Sequence, residues 1–283
     1  MALFGWLTLA LGRRATRWLL HPICWYFVAF SARARRASTA FLGRALGRKP
    51  RLGEVLRHFH TFAATLHDRV FLASEGEGAF EIEVRGADAV ECALRAGRGC
   101  ILLGSHLGSF EMVRAMGRSS AMRPVNIVMH SREAAHTARL LSRIAPELQD
   151  RVIAPGRPET VLKVKECLER GEIVGMLGDR PFGGGRTHAC DFLGSRARFP
   201  LGPLLIAGTL AAPVVTFFGL YEAGSGYRVY LEPLTGGDPV PRAGRDAWAV
   251  AQLERYVERL AHYARHAPCN WFNFYDFWNE GHR

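Results

Sequence analysis

The sequence predicts an α/β fold: a single domain with a mixed central sheet flanked by helices, preceded by an N-terminal helical arm. Short apolar segments typical of buried strands alternate with segments of helical spacing along most of the 283 residues. A hydrophobic fraction of 48% is enough for one large core. We find no internal repeat, low-complexity segment or interdomain linker in the sequence, which also favours one compact domain.

The order of these elements follows from their periodicity and from the Gly and Pro residues that bound them. Helices are predicted over residues 51–73, 110–117, 136–144, 158–171, 199–212 and 247–268. Strands are predicted over residues 80–86, 99–105, 125–130, 151–155, 172–178, 213–221 and 227–233. Because strands and helices alternate through the middle of the chain, the pattern predicts an α/β fold with a mixed sheet.

The first 60 residues differ from the rest in charge. They contain eleven of the 37 basic residues and one of the 26 acidic residues, whereas the remaining charges nearly balance. Two apolar runs, ALFGWLTLAL and WLLHPICWYFVAF, alternate with arginines in this stretch. Apolar and basic residues in this alternation are typical of segments that bind an anionic membrane surface. We therefore predict that residues 1–50 form a basic, membrane-associated helical arm and that residues 51–283 form the α/β domain.

Other interpretations of the arm fit less well. A signal peptide carries its positive charge before the apolar run, whereas arginines follow this one directly. The run at residues 18–30 spans only about 20 Å as a helix, and crossing a bilayer takes about 20 apolar residues. Bulky Trp, Phe and Leu beside the arginines would be unusual on a nucleic-acid-binding face. We expect interfacial or partial insertion, and no nucleic-acid partner.

The segment GSHLGSFE places a histidine at a strand end and an acid in the following helical turn. His106 lies just beyond the strand at residues 99–105, and Glu111 begins the next helix. Open α/β sheets keep their sites at this edge. A neutral imidazole accepts a proton through one nitrogen when a carboxylate holds the other. This pattern predicts His106 as a general base and Glu111 as its partner. The alternative is a loop histidine with a structural role only, held by hydrogen bonds.

The backbone of this corner has predicted roles too. Gly104 and Gly108 are expected to let a substrate approach the main chain. The N–H groups at the helix start are expected to help hold a developing oxyanion.

A second candidate site lies in GMLGDRPFGGG. Asp179 and Arg180 follow a predicted strand and precede a glycine-rich loop that is suited to fold over a ligand. A surface turn held by a salt bridge is the alternative. The sequence has no G-x-S-x-G nucleophile motif, P-loop or zinc-type ligand spacing. No cofactor or metal is therefore predicted, and the six cysteines are expected to be reduced thiols of a cytosolic compartment.

Nearly the whole chain resembles a known family. The matching pieces are GSHLGSFE, NIVMHSREA, GEIVGMLGDRPFGGG, DFLGSRARFPLGP, AAPVVTFFGLY and PCNWFNFYDFW, together with the aromatic and arginine-rich N-terminus. They resemble the lysophospholipid-acyltransferase superfamily, in its branch of bacterial lipid A late acyltransferases (lauroyl and myristoyl transferases) and of acyltransferases from aryl-polyene clusters. The resemblance implies that residues 51–283 are the catalytic domain.

The resemblance also assigns roles to residues. It implies His106 as base with Glu111 as partner, and it implies substrate binding by Asp179, Arg180, Arg132 and Arg198, with Arg196 beside the last. The implied activity moves a fatty acyl chain from acyl-carrier protein to a hydroxyl of a lipid or glycolipid, as in lipid A-type late acylation, at the cytoplasmic face of the inner membrane. A membrane lipid hydrolase or thioesterase and a non-catalytic lipid-binding protein are the alternatives. The aromatic tail is expected to dock into the core.

Overall fold

A computed structural model describes the chain over residues 12–13, 15–75, 78, 80–95, 97–112, 123–129, 151–156, 158–181, 185–222 and 226–278. Seven of its strands form one sheet in the order β1-β9-β8-β2-β5-β3-β4, and β6 and β7 form a separate antiparallel hairpin. The strands are β1 (Glu81–Arg85), β2 (Ile101–Gly104), β3 (Val125–Val128), β4 (Val152–Ile153), β5 (Ile173–Leu177), β6 (Thr187–Phe192), β7 (Ser195–Pro200), β8 (Val214–Tyr221) and β9 (Gly226–Thr235).

Helices cover both the arm and the faces of this sheet. They are α1 (Leu20–Phe30), α2 (Ala32–Leu46), α3 (Leu52–Glu75), α4 (Ala87–Leu94), α5 (Pro158–Glu169), α6 (Gly202–Leu210) and α7 (Arg245–His266). Short 3₁₀ turns precede α7 at Arg242–Gly244 and follow it at Pro268–Asn270. The predicted α/β architecture with a mixed sheet is confirmed. The helix predicted at residues 136–144 lies outside the described residues. The one predicted at residues 110–117 is described only over residues 110–112, of which Glu111 and Met112 are helical.

Most of the large sheet is parallel. β1 pairs parallel with β9, and β8, β2, β5, β3 and β4 form an unbroken parallel run, so that the β8–β9 pair supplies the antiparallel contact. β2 and β5 lie at the centre and are almost completely buried, as the continuous apolar segments ILLG and IVGML require for strands covered on both faces. Two groups of buried apolar side chains, one on each side of the sheet, make up the core.

The β6–β7 hairpin was not expected from the sequence. Leu193 and Gly194, both at positive φ, form its two-residue turn, a conformation in which the turn follows the twist of the flanking strands. Phe192 and Phe199 are fully buried on its inner face. The predicted helix at residues 199–212 is consequently shorter and starts at Gly202.

The arm packs on the α/β part through one side and exposes the other. Phe41 and Leu42 of α2 are fully buried in the main core. On the opposite side large aromatic side chains are exposed: Trp18, Trp25, Tyr26, Phe27 and Phe30. Within the described residues, no helix has both the length and the hydrophobicity needed to cross a bilayer. The division of the chain at residue 50 stays a prediction.

Candidate active site

The site forms where two neighbouring parallel strands end. Gly104 at the end of β2 is in register with Leu177 at the end of β5, and the Gly178 N–H donates to the Gly104 carbonyl at 2.9 Å. His106 lies two residues beyond β2, and Asp179 lies two residues beyond β5. Because the strands are parallel and adjacent, these two side chains meet at the carboxyl edge of the sheet.

His106 and Asp179 make a two-point contact. The Nδ1 of His106 is 2.9 Å from Oδ1 of Asp179, and the main-chain N–H of His106 donates to Oδ2 at 3.0 Å. The Asp179 side chain is fully buried, whereas 22% of the His106 side chain is exposed. An ionised carboxylate only accepts hydrogen bonds, so Nδ1 carries the proton and Nε2 is left with a free electron pair. The imidazole is thereby prepared to accept a proton through Nε2.

The surroundings keep Asp179 ionised although it is buried. Burial favours the neutral carboxyl, but the His106 ring, the Arg180 guanidinium and the His106 amide outweigh it and lower the pKa of Asp179 below its ordinary 3.8. The indole N–H of Trp271 adds a third donor to this carboxylate, at 3.1 Å. Three donors on one carboxylate fix its orientation, and with it the orientation of the imidazole.

A buried tyrosine on α7 holds the end of β2 next to the site. The hydroxyl of Tyr256, on α7, donates to the carbonyl of Gly104 at 2.7 Å. Burial raises the pKa of the Tyr256 phenol well above 10, and the nearby Asp179 charge acts in the same direction. Tyr256 is therefore a neutral donor that ties α7 to the end of β2.

Glu111 faces another part of the molecule. Its Oε1 is 3.1 Å from Nε of Arg69 on α3, and its Oε2 accepts a hydrogen bond from the Ser109 hydroxyl at 3.4 Å. The carboxylate that meets the Nδ1 of His106 in the structure is Asp179. The position next to the imidazole that the sequence assigned to Glu111 is thus occupied by a residue 73 positions further along the chain from His106.

The corner backbone is engaged in packing. A Cβ added at Gly108 would overlap the Gly219 carbonyl, and its φ of 78° also favours glycine. At Gly104 a Cβ would press on the Phe110 ring. The space on the Cβ side of these two glycines is therefore filled by the protein, and the approach of a substrate to their main chain stays a prediction.

The main-chain N–H groups of the corner are also engaged. The amides of residues 106–109 already donate to Asp179 Oδ2, Ser105 Oγ, the Asn270 carbonyl and the Gly219 carbonyl. An oxyanion would have to be held by amides further along, in the helical turn that begins at Phe110.

The aromatic tail closes one side of the site. Leu107 and Trp271 form an antiparallel bridge, and the Phe272 N–H donates to the His106 carbonyl at 2.9 Å. Trp271, Phe272, Phe277 and Trp278 are buried, which confirms that the tail docks into the core.

Arg180 bonds to this tail. Its Nη2 donates to the Phe272 carbonyl at 2.6 Å, and its guanidinium lies over the Tyr275 ring, 5.3 Å from the centroid. Asp179 and Arg180 therefore belong to one assembly with His106 and the tail, rather than to an isolated surface turn.

A buried histidine holds the tail from the opposite side. Burial lowers the pKa of His58, on α3, to about 4, although its bond to Trp271 opposes the shift. The ring is neutral, so Nε2–H donates to the Trp271 carbonyl at 2.9 Å and Nδ1 accepts from the Ser38 hydroxyl at 2.8 Å. His58 thereby links α2 and α3 of the protein to the residue that positions Asp179.

The structure does not place the other predicted substrate-binding arginines beside His106. Arg132 falls outside the described residues. Arg198 lies on the exposed face of the β6–β7 hairpin, where its Nη1 donates to the Thr187 hydroxyl at 3.3 Å, and Arg196 on the same face pairs with Asp191 at 3.7 Å. Their roles in substrate binding stay predictions.

The cysteines lie apart from this assembly of groups. All six are unpaired, and in the part of the chain that the structure describes no three His, Cys, Asp or Glu side chains are placed to hold a metal ion. Burial raises the pKa of Cys100, just before β2, to about 12, so this thiol stays protonated near neutral pH.

Comparison with known proteins fixes the family. The chain matches the family described as bacterial lipid A biosynthesis acyltransferase over residues 1–279. This protein belongs to that family. It is therefore an acyltransferase of lipids, which takes an acyl donor and a lipid acceptor. A search of curated proteins gave no match.

The site of this acyltransferase contains residues that the sequence did not single out. Trp271 donates a hydrogen bond to Asp179, and Tyr256 donates one to the carbonyl of Gly104. Ser105 accepts a hydrogen bond from the Leu107 amide through its hydroxyl oxygen. Trp271 stands within the quoted tail motif, and a polar-tipped aromatic residue in a segment expected to be buried is a signal for a buried hydrogen bond. Tyr256 lies in the middle of a long amphipathic helix and carries no comparable signal.

Proposed function

We propose that the protein transfers a fatty acyl chain from acyl-carrier protein directly to a hydroxyl of a lipid or glycolipid acceptor, with His106 as general base. The observation that carries this proposal is the 2.9 Å contact between Nδ1 of His106 and the buried Asp179, in a chain of the lipid A acyltransferase family. The contact occupies Nδ1 and leaves Nε2 as the ring nitrogen that can accept a proton.

The reaction then needs two proton movements. As the acceptor hydroxyl oxygen attacks the thioester carbonyl carbon, its proton passes to Nε2 of His106, and a tetrahedral oxyanion forms. Asp179 stabilises the resulting imidazolium without taking its proton. Amides of the helical turn at Phe110 and Glu111 stabilise the oxyanion. When the carbon–sulfur bond breaks, the departing thiolate takes the proton back from His106, and the acceptor carries the new ester.

Glu111 keeps a separate role in this mechanism. Its ion pair with Arg69 and its bond from Ser109 tie α3 to the first turn after the corner. Those contacts hold the amides that face the oxyanion, so Glu111 supports the site as a charged residue even though Asp179 orients the imidazole.

The donor and the membrane are recognised by charge and by exposed aromatic residues. The net charge of +11 attracts an acidic carrier protein and an anionic bilayer. Trp18 and Phe30, each about three-quarters exposed, lie on the free side of the arm, where side chains of this kind insert among lipid headgroups. We place the enzyme at the cytoplasmic face of the inner membrane, where acyl-carrier protein is found.

The deciding experiment compares the full-length protein with its His106→Ala variant. Acyl transfer from acyl-carrier protein is followed by mass spectrometry of the products, with and without a lipid acceptor. We expect turnover to fall by about 10²–10⁴-fold, because a positioned general base contributes that much. Near-normal transfer by the folded variant would refute the mechanism. Free fatty acid released at the same rate whether or not acceptor is present would show a hydrolase instead.

A further inference from the structure

A cavity outside the His106 site lies under the arm. It has a volume of about 500 Å³ and lies between the arm, helix α3 and the turn that follows α7. Its walls include Arg17 and His21 from the arm, Arg57 and His60 from α3, and Asn270 from the turn. A cavity of this size is in the range that takes up a small ligand.

The walls of this cavity are basic. Among the described residues that line it there are two arginines and two histidines, and none is acidic. Arg17 uses Nη2 to bind the buried Asp68 at 3.1 Å, whereas Arg57 is exposed and has no ion-pair partner in the described structure. The rings of His21 and His60 stack with their centroids 4.6 Å apart.

Two nitrogens in these walls lack a partner. Nε of Arg17 and Nε2 of His60 are buried and have no hydrogen-bond acceptor or donor within the described residues. Buried polar atoms without a partner are costly and call for an explanation. Unused donors together with the unpaired positive charge of Arg57 are suited to an anion, and planar guanidinium groups match phosphate oxygens in particular.

The position of the cavity indicates where such an anion comes from. Trp18 lines the cavity and is 75% exposed, and exposed aromatic residues of α1 continue from it along the free side of the arm. The opposite wall, Asn270, accepts the Gly108 N–H through its carbonyl and bonds the Tyr221 main chain through its amide. The cavity thus lies between the apolar side of the arm and Asn270, a residue that bonds directly to the corner carrying His106.

We propose that this cavity binds the phosphate group of an anionic membrane lipid. Arg57 supplies the exposed guanidinium, Arg17 and His60 supply further donors, and Trp18 contacts the start of the acyl chains. The bound headgroup would fix the arm on the bilayer and set the distance of the His106 site from the membrane surface. This inference concerns binding and does not depend on the proposed acyl transfer.

Calorimetry with short-chain, water-soluble ligands tests the proposal on the full-length protein in an uncharged detergent. The ligands are dihexanoylphosphatidic acid, inorganic phosphate and dihexanoylglycerol, which has the same chains and no phosphate. We expect saturable binding of one dihexanoylphosphatidic acid per chain, with binding to the other two at least tenfold weaker. The Arg57→Gln variant should bind it at least about tenfold more weakly, since a charge-assisted hydrogen bond is lost.

The matched control is Arg36→Gln, which removes one exposed positive charge from α2 outside the cavity. Its affinity should stay within about twofold of the wild-type value. Arg57→Lys keeps the charge without the planar fork and should bind with intermediate affinity, which guards against a folding defect of a single variant. Absence of saturable binding, or equal losses in Arg57→Gln and Arg36→Gln, would overturn the site. Equal affinity for inorganic phosphate would overturn its assignment to a lipid.

Discussion

Two aspartates in the described part of the chain, Asp68 and Asp179, are fully buried, and they are stabilised by different kinds of partner. The carboxylate of Asp68, on α3, accepts hydrogen bonds from Nε and Nη2 of Arg13, at 2.9 and 2.8 Å, and from Nη2 of Arg17 at 3.1 Å. The hydroxyl of Tyr227 adds a bond of 2.9 Å. This carboxylate is held by two groups that never lose their charge, and it fastens the arm to α3 and β9.

The partners of Asp179 are an imidazole, a main-chain amide and an indole. None of these three donors carries a permanent charge, and the imidazole is a group that can accept and donate a proton. A proton arriving at His106 therefore strengthens the interaction with Asp179. The ion pairs of Asp68 with Arg13 and Arg17 keep their charges, and the ring of His67 lies further from this carboxylate, with Nδ1 3.7 Å from Oδ1. Both carboxylates are equally buried, so the type of partner distinguishes a structural carboxylate from one that can stabilise a proton on a neighbouring imidazole.

The largest expected effect is a loss of acyl-transfer activity when Asp179, but not Asp68, is replaced. Asp179→Asn should lower the acyl-transfer rate by about 10²–10⁴-fold, because an amide no longer fixes the tautomer or stabilises the imidazolium. Steady-state rates of the folded variant measure this loss. Glu111→Gln leaves the Nδ1 contact in place and should cost less. If Glu111→Gln were the more damaging change, Glu111 rather than Asp179 would be the working partner of His106.

The next largest effect is a loss of folding stability when Asp68 is replaced. Asp68→Asn should lower the free energy of unfolding by roughly 3–5 kcal/mol, because it leaves buried guanidinium groups without their counter-charge. Denaturant titration measures the change. Turnover per folded molecule should stay near the wild-type value, as long as the assay uses dispersed substrates that do not depend on the arm. A large loss of turnover without loss of stability would assign Asp68 to the chemistry.

The dependence of stability on pH involves a third buried group, His58. Its pKa is lowered to about 4 by burial, so the unfolded chain binds a proton below pH 6.5 before the folded one does. Stability should therefore be full above pH 6.5 and fall by roughly 3 kcal/mol as the pH drops to 4. His58→Gln should remove this slope, and an unchanged slope in that variant would contradict the assignment.

The two aspartates contribute in a lower range of pH. Burial opposes their ionisation, but their partners lower the pKa of both below 3.8. Their stabilisation is present above that value and is lost as the pH falls through the lowered pKa values. The slope of stability against pH below 3.8 should accordingly be smaller in Asp68→Asn than in the wild type.

The smallest effect concerns Arg180. Its bond to the Phe272 carbonyl uses one nitrogen, and Nε has no partner in the described structure. If the remaining donors hold an anionic group of donor or acceptor, Arg180→Lys should raise KM for that substrate by about tenfold with little change in kcat. Titration of each substrate, with the melting temperature of the variant as control, measures this. Unchanged KM for both substrates would leave Arg180 as a support of the tail.

Much of this site was predictable from the sequence one residue at a time. The apolar segments ILLG and IVGML identify two buried strands, and each is followed by a small residue and then by His106 or Asp179. What the sequence does not reveal is that these strands are neighbours, because β3 and β4 lie between them in the chain but beyond β5 in the sheet. Glu111 is close to His106 in sequence, and the family resemblance implies it as the partner, whereas the contact with Asp179 depends on the order of the strands.

The other structural features that the sequence did not predict have similar causes. The role of Trp271 depends on the tail returning to the corner, a contact between residues more than 160 positions apart. The β6–β7 hairpin depends on a turn with Leu193 at positive φ, which a leucine rarely adopts. Local patterns therefore predict where each polar side chain leaves its strand, whereas tertiary contacts decide which of them meet.

The central claim is that Asp179 acts on the reaction through His106. A double-mutant cycle tests it most directly, with acyl-transfer rates measured for wild type, His106→Ala, Asp179→Asn and the protein with both changes. If Asp179 only orients and stabilises the imidazole, removing it after His106 is gone should cost nothing more, and the double variant should be as slow as His106→Ala. Losses that multiply in the double variant would show that Asp179 acts independently and would contradict the account.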